Sequence, residues 1–586
     1  MTQGASDAER PIDAGQFKLG WGSDVIATML RRLGIDHIAL NPGASYRGLH
    51  DSLVNFLGNR DPEILVALHE ENAVAIAHGY AKVTERAMAV AVHSNVGLMH
   101  ASMAIFNAWC DRAPMLILGA TGPMDATRRR PWIEWIHTAK DQAAMIRNFI
   151  KWDDEPGSAQ AAVESLLRGW QITHRAPRAP VYLCFDVALQ EDPVEAEFKF
   201  PALERFGPGE APVPSPESLA RAADLLTNAR RPLILAGRVS RDPEDWQRRV
   251  RLAELLGARV LTDLKVAAAF PTDHPLHAAP AGIRLGAPAQ EYVRQADVIL
   301  GLDWVDPGGT FEAVFGSASP PAKFINCTVD YGLHNGWSMD YFALPAADVA
   351  LYVEPDAAVK TLLPEVENRL AAAARKASDW PAETAKKPAN SAGNANKINY
   401  HAIGAALTRA LAGRPATIVK LPLRWPGDAL TFRGPLDYVG GDGGGGVGAG
   451  PGLAVGAALA LKGTGRLAVA IMGDGDCLMG VTALWTARKY AIPLLLVVAN
   501  NRSYFNDVRH QEHVAEARGR PVENRWIGQR IDDPAPDLAT VAKGFGWTSV
   551  GPLSTESSLF DAFERGLNAV ERGECWLIDV HIEGGG

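Results

Sequence analysis

The sequence lacks the features that mark several classes of protein. Its 586 residues include only five cysteines, at positions 110, 184, 327, 477 and 575, and no two of them form a CxxC pair. Cysteines scattered in this way argue against a disulfide framework and against a structural zinc site, and they fit a reducing compartment.

Long apolar runs and clusters of positive charge are also missing. The longest purely apolar run, Ala491–Ala499, contains Pro493 and is far too short to span a bilayer. Residues 1–20 are polar and carry no apolar core of a secretory signal. No basic run exceeds Arg128–Arg130, and the formal net charge is −9, which argues against a nucleic-acid partner. We expect a cytoplasmic protein that binds neither membranes nor nucleic acid.

The apolar residues that are present recur in short runs. The sequence is 47% hydrophobic and 21% charged, which is enough apolar material for sizeable cores. Short apolar runs alternate with amphipathic stretches such as Ala73–Val83, which is predicted to be a helix. This alternation is typical of parallel sheets covered by helices on both faces. The predicted strands are His37–Leu40, Ile64–Leu68, Ala89–Val92, Met115–Leu118, Val181–Cys184, Leu233–Ala236, Arg259–Thr262, Val298–Leu302, Phe324–Cys327, Thr417–Leu421, Leu467–Met472, Leu494–Ala499 and Trp576–Val580.

The alternation occurs in three blocks that two connectors separate. A Pro-rich connector, Pro201–Pro216, follows the first block, and a polar connector, Lys376–Asn396, follows the second. Such shifts in composition indicate domain boundaries. We predict an α/β protein with three doubly wound parallel-sheet domains at residues 1–195, 196–375 and 398–586, and with a linker at residues 376–397.

Polar residues follow two neighbouring strands of the third block. Residues 473–476 read Gly-Asp-Gly-Asp after the strand Leu467–Met472, and a helix is predicted at Cys477–Tyr490. The next strand ends in Asn500-Asn501. Ligands bind at the carboxyl ends of strands in open α/β sheets, so this βαβ unit is a predicted ligand site.

The residue types at this site suit a metal ion and a diphosphate. Asp474 offers a carboxylate, Asn501 a side-chain carbonyl and Ser503 a backbone carbonyl. Three hard oxygens suit Mg²⁺, which takes its remaining ligands from phosphate and water. Gly473 and Gly475 let backbone N–H groups approach a diphosphate, whose negative charge the following helix N-terminus favours. A Gly-Asp-Gly turn alone is common in Rossmann-like domains, and the second polar strand end makes the pattern specific.

The Gly-Asp-Gly-Asp…Asn-Asn pattern resembles the thiamine diphosphate motif of the acetohydroxyacid synthase, pyruvate decarboxylase and benzoylformate decarboxylase superfamily, and Ala483–Pro493 resembles its benzoylformate decarboxylase branch. The resemblance extends over essentially the whole chain. It implies a pyrimidine-binding domain, a central domain and a diphosphate-binding domain, with thiamine diphosphate and Mg²⁺ as cofactors.

FAD occupies the central domain in some relatives, and nothing in this sequence supports it here. The cofactor-binding residues implied are Glu70, Gly448, Ala449, Gly473, Asp474, Gly475, Asp476, Asn501 and Ser503.

Glu70 is the catalytic glutamate that the resemblance implies. It follows an apolar strand, opens an apolar helix and precedes Gly79-Tyr80-Ala81 by the offset found in the family. In the family this carboxyl group lies beside the aminopyrimidine ring of the cofactor and assists removal of the C2 proton. Without the resemblance, Glu70 and Glu71 would be first-turn acids that complement a helix dipole.

Two loops resemble substrate-contacting segments of the family. The segment after the first strand resembles an NPGS loop whose serine contacts the substrate carboxylate. Here Ala44 holds that position and Ser45 lies one residue later. His93 matches a histidine used in proton transfer, although a histidine at a strand end is often structural, and Asp303 stands where the family has a second histidine. The predicted substrate-side residues are Ala44, Ser45, His93 and Tyr504, with a catalytic role for His93.

The glycine-rich run Gly440–Gly452 lies where the family contacts the cofactor. It is not a P-loop, because no Gly-Lys-Ser/Thr follows. In the family a bulky apolar side chain normally lies beneath the thiazolium ring at this point. The matching residue is Ala449, and Val447 or a central-domain side chain could fill the gap instead.

Small residues near the predicted site favour a carbonyl substrate larger than pyruvate. Ala44 and Ala449 would leave volume open, and Trp132 and Trp135 could form an apolar wall that rewards burial of a large substrate. In relatives the segment that contains these tryptophans and His137 faces the active site. A packed surface helix explains the same aromatic residues equally well.

The predicted function is a thiamine diphosphate- and Mg²⁺-dependent, non-oxidative lyase or carboligase that acts on a 2-oxo acid, like benzoylformate decarboxylase or acetolactate synthase. One alternative is an acyl-CoA lyase of the 2-hydroxyacyl-CoA or oxalyl-CoA type, and another is a diketone-cleaving hydrolase. A catalytically silent regulatory relative is the third, and the presence of Glu70, Asp474 and Asn501 argues against it. The resemblance also implies a homodimer or homotetramer, in which the two cofactor domains meet across a two-fold interface.

Overall fold

A computed structural model describes residues 9–12, 16–330, 342–372, 378–381 and 398–583 of the chain. The strands are β1 His37–Leu40, β2 Glu63–Val66, β3 Met88–Val92, β4 Met115–Thr121, β5 Trp152–Asp154, β6 Pro180–Asp186, β7 Pro232–Ala236, β8 Arg259–Thr262, β9 Val298–Leu302, β10 Lys323–Cys327, β11 Val349–Leu351, β12 Ala416–Lys420, β13 Leu467–Gly473, β14 Leu494–Asn500, β15 Thr548–Leu553 and β16 Cys575–His581.

Helices connect almost all of these strands. They are α1 Gly22–Arg32, α2 Arg47–Asp51, α3 Glu70–Thr84, α4 Ser94–Cys110, α5 Ile133–Ile136, α6 Ala159–His174, α7 Val187–Glu191, α8 Pro216–Asn228, α9 Pro243–Leu256, α10 Ala287–Gln295, α11 Pro307–Phe315, α12 Pro355–Ala372, α13 Tyr400–Leu411, α14 Gly450–Leu461, α15 Asp474–Met479, α16 Ala483–Lys489, α17 Phe505–Ala517, α18 Leu538–Gly544 and α19 Glu556–Glu571. None of the described helices is long and apolar enough to cross a membrane.

The strands form three separate parallel sheets. The first has the order β2-β1-β3-β4-β6-β5, the second β11-β10-β9-β7-β8 and the third β12-β13-β14-β16-β15. Each sheet uses strands from one of the three blocks, and every pairing within a sheet is parallel. The prediction of an α/β protein with three doubly wound parallel sheets is therefore confirmed. The domain boundaries stay predictions, and the proposed linker at 376–397 lies largely outside the described residues.

Both faces of each sheet are buried, because apolar residues alternate between two cores along single strands. In β13, Ala468, Ala470 and Met472 belong to one apolar cluster, while Val469 and Ile471 belong to another. The strands of the first and second sheets alternate in the same manner. Burial on both faces explains why the central strands are nearly continuous apolar runs.

Three strands were not predicted, and one predicted helix is wrong. The missed strands β5, β11 and β15 each lie at the edge of a sheet, where one side of the strand has no neighbour and the apolar signal is weaker. The predicted helix Cys477–Tyr490 is two helices, α15 and α16. The first helix ends at Met479, and Gly480 then packs beneath the glycine-rich loop, where a Cβ would overlap the carbonyl oxygen of Gly448.

The first and third sheets are joined by the close packing of α3 on α14. A Cβ added at Gly79 would overlap the carbonyl oxygen of Leu453, and one added at Gly456 would overlap the carbonyl oxygen of Ile76. The two helices thus approach with almost no side chain between them at these points. Residues of both helices belong to one apolar cluster that continues into both sheets. This contact brings the amino end of α3, with Glu70, next to the glycine-rich loop that leads into α14.

Candidate active site

Asp474 lies at the carboxyl edge of the third sheet. β13 ends at Gly473, the neighbouring strand β14 ends at Asn500, and Asp474 opens α15 with only 3% of its surface exposed. Its Oδ2 atom is buried without a hydrogen-bond partner. Burial raises the pKa of Asp474 to about 6, although backbone N–H groups of Asp474, Asn501 and Ser503 act in the opposite direction. A buried, unsatisfied carboxylate oxygen is costly unless a cation compensates it.

Asn501 and Ser503 lie beside this carboxylate, as the spacing predicts. The Asn501 side-chain oxygen accepts hydrogen bonds from the Ser503 backbone N–H and hydroxyl group, both at 3.0 Å. The preceding Asn500 instead donates to Asp579 on β16 at 3.0 Å, and so it belongs to the sheet. A buried carboxylate with a free oxygen, an amide oxygen and a nearby backbone carbonyl fit a hard divalent cation such as Mg²⁺. The metal role of these residues stays a prediction.

Asp476 holds the glycine-rich loop in place. Its Oδ1 atom accepts hydrogen bonds from the backbone N–H groups of Gly448, at 2.8 Å, and Gly450, at 3.1 Å. Gly448 has a φ of +110°, a conformation that favours glycine. Lys420 pairs with Asp442 at 2.6 Å and lies 3.7 Å from Asp476. The predicted contribution of Asp476 to cofactor binding would therefore act through the loop.

The apolar residue that the loop presents is Val447. The Val447 side chain is 44% exposed, whereas Ala449 is 1% exposed and packs against Ala75 and Leu453 between α3 and α14. The small size of Ala449 is required by the close contact between the two helices and opens no volume in the site. The cofactor contact of Ala449 stays a prediction, and the exposed Val447, the alternative named above, is the residue that we propose for this contact.

The other glycines of the motif differ in their surroundings. A Cβ added at Gly473 would meet no atom within 4 Å, whereas one added at Gly475 would lie 2.7 Å from the Tyr504 ring. Tyr504 is 38% exposed at the start of α17. It therefore covers the first turn of α15, next to Asp474.

Glu70 begins α3 and is 7% exposed. Its Oε2 atom lies 3.1 Å from Nδ1 of His100 on α4. Glu71 points to the other domain: a Cβ on Gly448 would lie 3.7 Å from its Oε1. Burial raises the pKa of the Glu71 carboxyl group. Gly448 therefore lies between Glu71 of the first sheet's domain and Asp476 of the third sheet's domain.

His93 is held by the loop after β1. β1 and β3 are neighbours in the first sheet, and the order of strands reverses next to them, which is where open α/β sheets bind ligands. The Ser45 backbone N–H donates to His93 Nδ1 at 3.4 Å, and the Ser45 hydroxyl lies 3.0 Å from the same atom. Gly43 is required here, because a Cβ would overlap the His93 ring. With Nδ1 accepting, the neutral ring carries its proton on Nε2.

Ser45 and Ala44 therefore have different surroundings. Ser45 is 6% exposed and its hydroxyl is committed to His93, so it positions a side chain. Ala44 is exposed at the start of a short 3₁₀ turn, Ala44–Tyr46. The structure thus contains no serine hydroxyl at the place where the family's carboxylate-binding serine was expected.

His137 lies beside His93, where the sequence suggested no partner. The two rings are 4.8 Å apart between centroids and nearly perpendicular. Burial lowers the pKa of His93, and the neighbouring His137 lowers it further. Asp303, at the position of the family's second histidine, instead forms a buried ion pair with Arg112 and accepts from the Thr328 hydroxyl at 2.7 Å.

The two tryptophans near His137 do not form an apolar wall within the described chain. Trp132 is 68% exposed and Trp135 is 79% exposed. The buried residue of this segment is Glu134, which pairs with Arg130 at 2.5 Å. Of the observations that favoured a substrate larger than pyruvate, only the small side chain of Ala44 still supports that expectation.

A separate cavity of about 450 Å³ lies at the carboxyl end of the central sheet, against the first domain. Only some of its charged side chains are fully paired. Arg112 pairs with Asp303, and Arg248 pairs with Asp245 at 2.5 Å, whereas the buried Nη1 atom of Arg238 and the buried Nε atom of Arg241 have no hydrogen-bond partner among the described residues.

Comparison with known proteins agrees with this geometry. Three family models match the chain: "Thiamine pyrophosphate enzyme, N-terminal TPP binding domain" at residues 20–145, the central domain of the same enzymes at 219–332, and their C-terminal TPP binding domain at 423–580. Each model falls on one of the three sheets, with the Glu70 half of the site in the first and the Asp474 half in the third.

Two curated relatives and one solved structure cover most of the chain. A benzoylformate decarboxylase from Pseudomonas aeruginosa is 26% identical over 569 residues, covering 92% of this chain and 95% of the relative. A protein named "Probable acetolactate synthase 2, chloroplastic", from Oryza sativa subsp. japonica, is 25% identical, covering 90% and 78%. A thiamine diphosphate-dependent 4-hydroxybenzoylformate decarboxylase from Rhodococcus jostii RHA1 has the same fold, with a TM-score of 0.74, 21% identity and coverage of 96% and 99%.

Proposed function

The chain belongs to the thiamine pyrophosphate enzymes, and on that premise we propose that it is an Mg²⁺-dependent, non-oxidative lyase or carboligase that acts on a 2-oxo acid. In this reaction the bond between the carboxyl group and the carbonyl carbon breaks. The acyl unit is then released as an aldehyde or joined to a second carbonyl compound. The similarity, over most of each chain, to a benzoylformate decarboxylase and to a protein named a probable acetolactate synthase supports both outcomes of the same chemistry.

The observation that carries the proposal is the buried Oδ2 atom of Asp474. It has no hydrogen-bond partner, it lies beside Asn501 and Ser503, and it belongs to the first turn of a helix. An Mg²⁺ ion held by these three residues would compensate the carboxylate and neutralise a diphosphate at the same place. The loop at Gly448, fastened by Asp476, would lie over the cofactor.

The remaining site residues would act on protons. Bound thiamine diphosphate supplies the electron sink that cleavage next to a carbonyl requires. Glu70, buried at the start of α3, would hold and return a proton at the pyrimidine end of the cofactor. His93, whose Nδ1 accepts from the Ser45 backbone N–H, would present its Nε2–H group to the substrate as a donor. Burial lowers the pKa of His93, so at pH 7 the ring is neutral and keeps this Nε2 proton.

Calorimetry tests the cofactor part of the proposal. Thiamine diphosphate should bind tightly only when Mg²⁺ is present, and Asp474→Ala should abolish that dependence. Asp561→Ala is a matched control, because Asp561 is an acid on α19 with 72% of its side chain exposed. Normal Mg²⁺-dependent binding by the Asp474 variant would contradict the metal assignment.

A substrate panel tests the reaction class. The cofactor-loaded protein is incubated with pyruvate, benzoylformate and a branched 2-oxo acid, with and without an aldehyde acceptor, and carbon dioxide and products are measured. We expect at least one 2-oxo acid to be decarboxylated, and Glu70→Gln to remove that activity. Cleavage of a 2-hydroxyacyl-CoA, of oxalyl-CoA or of a diketone, with no turnover of any 2-oxo acid, would refute the proposed substrate class.

A further inference from the structure

The buried carboxyl group of Glu70 has an exposed histidine as its hydrogen-bond partner. His100 Nδ1 lies 3.1 Å from Glu70 Oε2. The Glu70 side chain is 10% exposed, whereas the His100 side chain is 59% exposed. One imidazole ring therefore reaches from the predicted catalytic carboxyl group to solvent.

The surrounding residues hold this pair together. Gly97 lies one turn before His100 on the same face of α4, and a Cβ there would be 3.3 Å from the Glu70 side chain, so a larger residue would crowd it. The His100 ring stacks on His69, with centroids 5.1 Å apart and planes at 15°. His69 is itself fixed at the start of α3, because its Nδ1 accepts from the Glu71 backbone N–H at 3.2 Å.

We propose that His100 is a positioning residue that relays protons between Glu70 and solvent. When water donates a proton to His100 Nε2, the Nδ1 proton passes to Glu70 Oε2, which leaves a neutral carboxylic acid and a neutral ring with its proton on Nε2. The reverse transfer returns the proton from Glu70 to Nδ1 and releases the Nε2 proton to water. Each transfer, in either direction, moves one proton and leaves the ring uncharged. The inference rests on the proposed role of Glu70.

Other groups near Glu70 are placed differently. Tyr46 and His93 interact with it electrostatically, but Tyr46 is 4% exposed and donates its hydroxyl to the Asn41 carbonyl. The ligand atoms of His69, Glu70 and His100 also lie within 4.8 Å of one another, close enough to collect a transition metal. The two histidine rings are nearly parallel, which disfavours a shared ion, and a chelator in the cofactor-free sample removes this complication.

The first experiment reads the hydrogen bond directly, without catalysis. The full-length protein is labelled with ¹⁵N-histidine, and the His100 resonances are identified by their absence in His100→Gln. In the cofactor-free protein we expect the neutral tautomer with its proton on Nδ1, and loss of that pattern in Glu70→Ala. A proton on Nε2, or a spectrum that Glu70→Ala leaves unchanged, would overturn the proposal.

The second experiment follows proton exchange at C2 of bound thiamine diphosphate by NMR. His100→Ala should slow exchange by roughly 10-fold or more, less than the ~10²–10⁴-fold expected for loss of a general acid–base group itself. Added imidazole should restore the rate, since it can replace the missing ring in an exposed position. His50→Ala, which removes an exposed histidine from α2, should show neither effect.

His100→Gln separates a relay from a simple structural role. Its amide can still donate a hydrogen bond to Glu70 but cannot pass a proton on. Slow exchange in His100→Gln supports the relay, whereas a wild-type rate in this variant, or no rescue of His100→Ala by imidazole, would refute it. If Glu70→Gln leaves exchange unchanged, the proposed role of Glu70 fails instead. If Glu70→Gln is slow and His100→Ala is normal, only the relay fails.

Discussion

Asp474→Asn replaces the buried carboxylate at the start of α15 by an amide of the same shape. The variant separates the effect of this residue on the stability of the cofactor-free protein from its effect on cofactor binding. In the cofactor-free protein, burial raises the pKa of Asp474 from its ordinary value of 3.8 to about 6. Since one pH unit in pKa corresponds to 1.36 kcal/mol, the ionised group costs ~3 kcal/mol of stability. The neutral amide avoids this cost, and we expect the variant to be more stable than the wild type when no cofactor is bound.

The pH dependence of that difference has a definite sign. A carboxyl group whose pKa is higher in the folded state destabilises the protein once it is ionised. The cost is complete above about pH 6, falls to ~1.6 kcal/mol near pH 5 and vanishes below the unfolded pKa of 3.8. The advantage of Asp474→Asn should therefore shrink as the pH is lowered from 7.5 to 5 and then to 4.

Urea unfolding with a chelator present measures this difference, and a second series with Mg²⁺ and thiamine diphosphate measures binding. The wild type should gain stability from the cofactors by mass action, whereas Asp474→Asn should not. Its cofactor affinity should fall by more than the ~10–100-fold that is typical when residues supporting a metal ligand are lost. A variant that is less stable than the wild type at pH 7.5 without cofactor, or that keeps its cofactor affinity, would refute the reasoning.

Four further outcomes are expected. Glu70→Gln should bind the cofactor normally but slow C2 proton exchange by ~10²–10⁴-fold, as NMR would show; an unchanged rate would move the role to another group. Gly456→Ala should destabilise the protein by ~1–3 kcal/mol in urea unfolding, because its methyl group would overlap α3, whereas Gly544→Ala, whose Cβ would meet no atom within 4 Å, should be neutral or better. His137→Ala should raise the pKa of His93, measured by NMR titration, because a neighbour that lowers it is removed. An unchanged pKa of His93 would show that the two rings are not coupled. Sedimentation should show a homodimer or homotetramer, and an active monomer would contradict that proposal.

Much of the fold could be predicted from the sequence, because buried parallel strands are continuous apolar runs. β1, β8 and β9 were predicted to the residue. The nearness of Asp474 and Asn501 could be predicted as well, since they follow strands that are neighbours in the sheet. Where function depends on residues at the ends of adjacent strands, linear spacing carries three-dimensional information.

The surroundings of individual side chains were decided only by the tertiary structure. Val447 and Ala449 are two residues apart in the glycine-rich run, and only the packing of α3 on α14 shows that Ala449 is buried between helices while Val447 faces outward. Asp303 is paired with Arg112, which lies 191 residues away along the chain. Contacts between domains of this kind leave no period or spacing in the sequence.

The partners of Glu70 and His93, the residues proposed to be catalytic, were likewise decided only by the tertiary structure. His100 lies 30 residues after Glu70, and His137 lies 44 residues after His93. By itself the sequence determined the sheets, the cofactor class and the residues at the strand ends, because local patterns of burial and turn chemistry specify them. The packing of α4 over the first sheet decides which side chain donates to Glu70. The packing of the segment before His137 decides which ring lies beside His93. Contacts of this kind between separate elements form only once those elements are assembled.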